Sequence, residues 1–287
     1  MDPRLGTLAC VQFTHHGSCR RATTSALLLR RLRLALLLCG SGLVASFATA
    51  GALAQSTSSV TDDAWHFAVT PYLWMAGLNG NTRIGPSQPT NVDASFSDVL
   101  GNLSAALMAA FEARKDRWVI LVDTFYVSLS QTSGPLLGGE LGNVKLKLNQ
   151  TILGAGGMYR VVQNENSFVD VGLGVRYLNL DTHIDFSQSP LLPNGLARSE
   201  SVNWTDAIVA IRGSQDLSSK WAMYGYADLG TGGSKWSGQL LAGVQYKLSR
   251  TFLFDLGYRV LAEDYDSSGF LYDVRTQGPY LGVRIQF

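Results

Sequence analysis

Few side chains after residue 54 have catalytic potential, and the histidines are the first to consider. His66 and His183 are the two histidines there, and the predicted strand order places them at opposite ends of the fold. A shared metal site or acid–base dyad is therefore not expected. Ser187 and Ser189 follow His183 in a predicted loop, without the strand–turn–helix context of a nucleophile elbow. We predict no enzymatic activity, no metal and no cofactor.

Charged side chains in the middle of predicted strands are the second group with possible function. Charges enclosed in a barrel must be paired or hydrated. The choice lies between a salt-bridge and water network that fills the interior and a charged constriction that conducts ions or protons. We favour the filled interior, because small barrels have interiors only wide enough for side chains. Six acids and four arginines belong to this predicted network: Glu112, Asp123, Asp170, Arg176, Asp206, Arg212, Asp228, Asp255, Arg259 and Arg284.

The elements that must position these charges show a period of two, typical of β-strands. In the last segment the apolar residues Leu281, Val283, Ile285 and Phe287 alternate with Tyr280, Gly282, Arg284 and Gln286. The same alternation predicts ten strands, at 65–77, 104–114, 118–131, 144–160, 167–184, 200–215, 220–231, 236–248, 251–265 and 270–287.

The predicted connections alternate between short turns and longer loops, which is the arrangement of outer-membrane barrels. Longer links rich in Gly, Pro and Ser occupy 78–103, 132–143 and 185–199. The segment 78–103 has room for an extra hairpin or an inward-folded turn around Phe96–Leu103. We predict an all-β fold, a transmembrane antiparallel up-and-down β-barrel of about ten strands, with 8–12 compatible with the pattern.

The composition of the two strand faces favours a membrane barrel over a soluble one. Soluble barrels place apolar residues inside, whereas here the face opposite the charges is apolar and aromatic. Hydrophobic residues make up 46% of the chain and charged residues 16%. An aromatic girdle is predicted near the short turns, as expected at the lipid headgroups; its members are Trp118, Tyr159, Phe168, Trp221, Tyr246, Phe252 and Phe287.

The N-terminal 54 residues have the features of a secretory signal with an extended start. The arginines Arg30, Arg31 and Arg33 precede a short apolar stretch, and Ala52-Leu53-Ala54 ends it. A polar spacer, 55–64, then leads to the barrel at 65–287. All three cysteines lie in the signal, and its removal leaves 17 basic and 21 acidic residues. Disulfides and nucleic-acid binding are therefore not expected.

The C-terminal residues Tyr280, Gly282, Ile285 and Phe287 resemble the β-signal read by the outer-membrane assembly machinery. Across 65–287 the chain is similar to a family of uncharacterised proteobacterial outer-membrane barrels, porin-like or like the OmpA membrane domain. The motifs that carry the similarity are Thr70-Pro-Tyr-Leu-Trp74, Phe111-Glu-Ala-Arg-Lys-Asp-Arg-Trp118, Gln150-Thr-Ile-Leu153 and Gly278-Pro-Tyr-Leu-Gly-Val-Arg284. The resemblance implies fold and location, without catalytic residues.

Four functions are compatible with this pattern. The first, which we favour, is a structural or surface-interacting monomer in the outer membrane of a Gram-negative bacterium. Its partners are then membrane lipid or lipopolysaccharide and, through the last strand, the assembly machinery. The alternatives are a narrow channel for small solutes or ions, an outer-membrane enzyme, and a soluble periplasmic binding barrel, which would be extracted without detergent.

Overall fold

The computed structural model describes residues 64–85, 88–134, 142–267 and 269–287. The predicted signal peptide at 1–54 and nearly all of the predicted spacer at 55–64 lie outside these residues. No helix in the described part of the chain has both the length and the apolar character needed to cross a membrane.

Twelve strands and one short helix make up the described chain, and every strand pair is antiparallel. In chain order they are β1 (Trp65–Trp74), β2 (Gly77–Ile84), β3 (Thr90–Ala94), α1 (Phe96–Gly101), β4 (Leu103–Lys115), β5 (Trp118–Thr132), β6 (Val144–Gln163), β7 (Ser167–Phe186), β8 (Leu196–Asp216), β9 (Trp221–Gly232), β10 (Trp236–Lys247), β11 (Phe252–Ser267) and β12 (Phe270–Gln286).

Ten of these strands close into a barrel. Strand β1 pairs with β4, each strand from β4 to β12 pairs with the next in sequence, and β12 pairs back with β1. The closing ladder continues to the last residue, because Phe287 N–H donates to the carbonyl of Phe67 at 3.0 Å and Phe67 N–H donates to that of Phe287 at 2.8 Å. The predicted up-and-down barrel of about ten strands is confirmed.

The segment 78–103 contains an additional hairpin and the short helix. Strand β2 continues β1 along the same partner, β12, and β3 pairs with the free edge of β2. The break between β1 and β2 lies beside Gly278 and Pro279 of β12. There Met75 N–H donates to the carbonyl of Pro279 at 2.8 Å. A Cβ atom at Gly278 would lie 2.0 Å from the Met75 oxygen, so glycine is required.

The two ends of the barrel differ in their connections. Both chain ends of the barrel, Trp65 and Phe287, lie with the four tight turns 116–117, 164–166, 217–220 and 248–251. We call this the short-turn end. The opposite end has the longer links 133–143 and 187–195, the β2–β3 hairpin, and two tight turns after β9 and β11. Strands β6, β7 and β8 have 20, 20 and 21 residues, about twice the 9–11 that cross a bilayer.

The outer face carries large apolar side chains in a continuous band. Leu107, Leu173 and Leu229 are 61%, 69% and 65% exposed. At the short-turn rim aromatic rings meet in pairs, among them Trp118 with Tyr159, whose ring centroids are 5.1 Å apart. Beyond the apolar band, the outward positions of the long strands are polar, for example Lys147, Asp181 and Ser201.

Large apolar side chains also occupy the inner face toward the opposite end. The sequence pattern predicts a polar interior, and the structure differs there, because aromatic rings and aliphatic side chains pack across the lumen. We call this group the lumen core. It comprises Tyr72, Trp74, Ala76, Met108, Phe125, Val127, Ile152, Leu178, Leu180, Trp204, Leu261, Tyr272, Val274 and Tyr280.

Candidate functional site

The candidate site is the charged part of the lumen at the short-turn end. The structure places all ten predicted network residues on the inner face. Seven of them are buried, namely Glu112, Asp170, Arg176, Asp206, Asp228, Asp255 and Arg259. The other three, Asp123, Arg212 and Arg284, line an internal cavity.

Five residues near the rim form a continuous chain of ion pairs, which we call the mouth network. Arg284 and Arg212 both bind Glu112 Oε2, at 2.8 and 2.7 Å. Arg212 also donates from Nε to Asp170 Oδ2 at 2.8 Å. Arg160 donates from Nε and Nη2 to the same carboxylate, at 2.8 and 3.2 Å. Two carboxylates are therefore shared by three guanidinium groups.

Two members of this site were missed at the sequence level. Arg160 belongs to the mouth network, and Phe168, predicted in the lipid-facing girdle, faces inward instead. The Arg160 guanidinium carbon lies 4.0 Å from the centroid of the Phe168 ring, and that of Arg212 lies 5.4 Å from it. The inward orientation follows from alternation, since Phe168 is two residues before the buried Asp170. The ring supports two cations in place of lipid.

A second group of contacts is centred on Arg259 in the middle of the barrel. Its Nη2 lies 2.7 Å from Asp123 Oδ2, and its Nη1 donates to the hydroxyl of Tyr72 at 2.9 Å. That hydroxyl in turn donates to Asp123 Oδ1 at 2.9 Å. Gln239 Oε1 accepts a further hydrogen bond from Nη2 at 2.7 Å. Arg259 is thus neutralised and hydrogen-bonded on several sides.

A third pair joins Arg176 to Asp228. Arg176 binds Asp228 Oδ2 through Nη2 and donates from Nη1 to Ser237 Oγ at 3.2 Å. The hydroxyl of Tyr226 donates to the same Asp228 oxygen at 2.8 Å. The three arginine-centred groups are separate, so the ten predicted residues do not form one network.

Two predicted residues form no ion pair with any arginine that the structure describes. Asp206 accepts hydrogen bonds from the Ser234 N–H at 2.8 Å and hydroxyl at 2.6 Å, so it holds the turn between β9 and β10. Asp255 accepts from Gln245 Nε2 at 2.7 Å. A third buried acid, Glu263, was not among the predicted site residues, although it shares the parity of Asp255 and Arg259. Its Oε1 has no hydrogen-bond partner among the described residues.

The charged groups surround a cavity of about 600 Å³. It extends from rim residues such as Arg250 to Ile152 and Leu241, where the lumen core begins. Its walls include Gly154, Gly156 and Gly174, and the missing side chains at these inward positions create the space.

The lumen core closes the far side of this cavity. Trp74, Leu178 and Leu261 are no more than 2% exposed. Nearer the opposite end, Trp204 stacks on Tyr265 with ring centroids 4.3 Å apart. This stack lies above the β9–β10 turn, where Gly233 is required because a Cβ atom would approach both Thr205 N and Trp204 Cβ to 2.8 Å.

The histidines remain far apart, and His183 has partners that the sequence did not indicate. Its Nδ1 is hydrogen-bonded to the hydroxyl of Ser199, and its Nε2 lies 3.1 Å from Asp185 Oδ1. The serine comes from β8, directly opposite His183 in the β7–β8 ladder. All three side chains are on the outer wall, and neither described cavity includes Ser199. No cluster of His, Cys, Asp and Glu in the described residues is arranged to hold a metal ion.

Solved structures to which this chain is similar include outer-membrane proteins. The outer membrane protease OmpT of Escherichia coli is 7% identical, with 81% of this chain and 100% of that chain covered at a TM-score of 0.52. Ail of Yersinia pestis, the attachment invasion locus protein, is 14% identical, with 78% and 98% covered at 0.35. The transport unit of the E. coli autotransporter AIDA-I is 9% identical, with 81% and 93% covered at 0.40.

At these identities the likeness concerns the fold alone. No family model matches the sequence, and no curated protein matches it at a significant level. The antiparallel closure, the apolar outer band and the similarity to OmpT together show that the chain has the fold of outer-membrane β-barrel proteins.

Proposed function

We propose that the protein is a monomeric barrel in the outer membrane of a Gram-negative bacterium, with a closed lumen and a surface-exposed sheet as its working part. The observation that carries this proposal is the lumen core. Residues from most of the ten barrel strands pack across the interior there, and close packing of this kind leaves no continuous water path. On this proposal the protein is an anchor and an interaction surface, with no transport or enzymatic role.

The outer surface supports a membrane location. Soluble monomers rarely expose apolar patches of more than a few hundred Å², yet apolar side chains cover every side of this barrel. Closure by β1 and β12 leaves the ten-stranded wall without a free edge, as a bilayer requires. The partners expected on this surface are lipid and lipopolysaccharide.

The two ends support an orientation. Outer-membrane barrels have short turns and both termini on the periplasmic side, so we place the short-turn end there. Phe287, 69% exposed at this rim, and Ile285 on the outer face are then accessible to the assembly machinery. Tyr280 points inward and packs on Tyr72, with ring centroids 4.9 Å apart, and Gly282 lies beside it.

The same orientation places the extensions of β6, β7 and β8 outside the cell. Their outward side chains are polar or charged, in contrast to the apolar band of the same strands. A polar sheet wall of this length, held by a closed barrel, is suited to contact with another surface. We therefore expect surface interactions at this wall.

Membrane fractionation with a heat-modifiability gel tests the location. The protein is expected in the outer-membrane fraction, requiring detergent, with a folded band that shifts on boiling. A fully soluble band that does not shift would contradict the proposal and support a soluble binding barrel.

Planar-bilayer conductance tests the closed lumen. The native protein is expected to give no discrete openings. The double variant Trp204→Ala and Tyr265→Ala removes one stacked layer, and Trp236→Ala, on the outer face, is the matched control. Discrete openings of the native protein would overturn the closed-lumen proposal and support the narrow channel, for which the cavity on one side of the core is the favouring observation.

The absence of enzymatic activity is tested at His183. The Ser199–His183–Asp185 contacts have the order of a nucleophile, base and orienting acid, but the three side chains lie on an open strand wall. Ester and peptide hydrolysis by the purified protein is expected to be unchanged in His183→Ala. A loss of activity in that variant would show an enzyme.

A further inference from the structure

We propose that β8 has a free edge, at the end opposite the short turns, that binds an extended peptide segment of another protein as an added strand. This inference rests on the proposed function, which places that end outside the cell, and it names the partner of the long sheet formed by β6, β7 and β8. The edge arises from unequal strand lengths. Strands β9 and β10 have 12 residues each, whereas β8 has 21 and β11 has 16.

The short β9–β10 hairpin leaves a notch in the wall between β8 and β11. Pairing of β8 with β9 begins at Asp206, and β11 pairs with β10 as far as Asp264. Beyond these two points, no strand in the described part of the chain occupies the space between β8 and β11. The notch contains a cavity of about 480 Å³, which is lined by 200–203 on one side and by Tyr265 and Phe270 on the other.

Backbone groups of β8 face this notch. In an antiparallel sheet, successive residues of a strand direct their N–H and C=O groups toward opposite neighbours. The carbonyl of Thr205 accepts from the Gly233 N–H at 2.8 Å on the β9 side, and the register of β8 with β7 is regular. The N–H and C=O groups of Asn203, Ser201 and Ser199 therefore point to the free side, where the described residues offer them no backbone partner.

This edge is suited to the addition of a strand. Proteins commonly protect free edges with proline, a bulge or a very short strand, but β8 has neither proline nor a bulge from Leu196 to Asn203. The outward side chains Ser199 and Ser201 are polar and exposed, so the edge lies beyond the apolar band and is accessible from water. Pairing of an extended peptide with a sheet edge is a recurring mode of recognition, in which main-chain hydrogen bonds supply the affinity.

The inward side chains of the same stretch indicate the chemistry of the partner. Arg198 and Glu200 are exposed, and neither forms an ion pair with another described residue. Val202 lines the cavity together with Tyr265 and Phe270. Directly opposite residues of paired strands contact each other. We therefore expect the partner strand to have an apolar, a basic and an acidic residue at alternate positions, opposite Val202, Glu200 and Arg198.

A second copy of the chain is a poor fit to this edge. Two barrels in one membrane have the same orientation, so their β8 strands run in the same direction and cannot form an antiparallel pair. Strand β11 runs in the opposite direction, but its free stretch is three residues long, 265–267. A segment of a different molecule is therefore the occupant.

Fluorescence anisotropy of a labelled peptide, titrated with the detergent-purified protein, tests the edge. The probe is the heptapeptide Thr-Val-Thr-Lys-Thr-Glu-Thr, whose valine, lysine and glutamate lie opposite Val202, Glu200 and Arg198 in antiparallel register. Saturable binding is expected. The matched control probe has N-methyl groups on the two threonines that lie opposite Ser201 and Ser199. It keeps every side chain but loses two N–H donors, so it is expected to bind about tenfold more weakly or less.

Two results with these probes would contradict the proposal. Absence of saturable binding of the unmodified peptide overturns it. Equal affinities of the two peptides would also overturn it, because binding would then not depend on main-chain hydrogen bonds.

Variants of β8 locate the binding. Ser201→Pro removes an N–H that faces the free side, a position where an edge strand tolerates proline, and it is expected to weaken binding by about tenfold or more. Ser201→Thr keeps the N–H and is the matched control. Glu200→Lys is expected to weaken binding of the probe, and a peptide with glutamate in place of lysine is expected to restore it. Equal affinities of the native protein and Ser201→Pro would exclude this edge.

A heat-modifiability gel on each variant confirms that the barrel has folded, and light scattering gives the oligomeric state. A native dimer that Ser201→Pro dissociates would show that a second copy occupies the edge, which would overturn the proposal. Fractionation and conductance are measured separately. Failure of peptide binding in a protein that is found in the outer membrane and gives no openings therefore contradicts this inference alone.

Discussion

The lumen at the short-turn end contains arginine–carboxylate groups around a cavity, whereas toward the opposite end it contains packed aromatic and aliphatic side chains. The change occurs within single strands. On β6 the inward-facing residues are Gly154 and Gly156 and then Ile152. On β7 the inward-facing residue after Arg176 is Leu178. On each of these two strands, the charged or glycine-lined region and the apolar region occupy neighbouring inward-facing positions.

The difference shows how a narrow barrel can be filled in two ways. Most charged groups lie toward the short-turn end, where each ion can be paired or hydrated. Farther from that end, mainly apolar side chains fill the space, with the buried acids Asp206 and Glu263 as exceptions. The first region encloses a cavity. The second closes the lumen.

The largest effect is expected from truncation in the lumen core. Trp74 is 2% exposed, and its ring meets that of Phe125 at 5.5 Å between centroids. Trp74→Ala is expected to lower the free energy of unfolding by about 5 kcal/mol, the upper end for an aromatic-to-alanine change, because of the cavity left behind. Denaturant unfolding in detergent, followed by the gel shift, measures it. Trp118→Ala, at a 63% exposed outer position, is the control, and an equal loss there would remove the distinction.

A somewhat smaller effect is expected in the mouth network. Asp170→Asn leaves Arg160 and Arg212 without the carboxylate that binds both. The cost is expected to be about 3 kcal/mol, toward the lower end for a broken buried pair, because asparagine keeps one acceptor. Asp255→Asn is the control, since Asp255 accepts from the neutral amide of Gln245. If Asp170→Asn were as mild as this control, the charged region would owe its stability to other contacts.

A modest effect is expected where the two regions meet. The ring of Tyr72 belongs to the lumen core, and its hydroxyl joins Arg259 and Asp123. Tyr72→Phe keeps the ring and the direct Arg259–Asp123 pair, so the loss of stability is expected to be about 1 kcal/mol. A double-mutant cycle with Asp123→Asn measures the coupling by denaturant unfolding. Strict additivity of the two changes would show that the regions are independent at this point.

The smallest effect is expected outside both regions, at α1. The hydroxyl and backbone N–H of Ser95 donate to Asp98 at 2.6 and 2.9 Å, and these hydrogen bonds lower the pKa of the Asp98 carboxyl. A lowered pKa in the folded state means that the cap stabilises α1 above the ordinary carboxyl pKa and is lost as the pH falls through the lowered value.

Hydrogen exchange of the α1 amides measures this dependence. Protection is expected to fall at acidic pH, with barrel unfolding unchanged, and Asp98→Asn is expected to remove the pH dependence. Acid-induced loss of the lumen core in the same range would show that α1 and the barrel are coupled.

Much of the fold could be predicted from the alternation of side chains. The ten barrel strands and the antiparallel order follow from it, because a period of two along a strand assigns each residue to one face of a closed wall. The same alternation also predicts that Arg160, Phe168 and Glu263 face inward. They were missed because an aromatic at a strand end was assigned to lipid and because the charges were chosen by their surroundings in sequence.

Other features depended on distances that the sequence does not contain. Residues far apart in the chain, such as Glu112 and Arg212, are brought together by closure, and their pairing depends on strand register and barrel width. The same is true of Ser199 beside His183, where the predicted loop is a longer strand. The β2–β3 hairpin arose in the segment where alternation was weakest.

The sequence by itself thus determined the barrel, its apolar exterior and which residues point inward, since those depend on local periodicity. Only the tertiary structure decided that the lumen has two regions. The alternation of side chains predicts that Trp74, Leu178 and Leu261 face inward. Whether such apolar side chains meet across the lumen depends on the diameter of the barrel and on the residues opposite. Those are set by closure, because only then do ten separate strands share one interior.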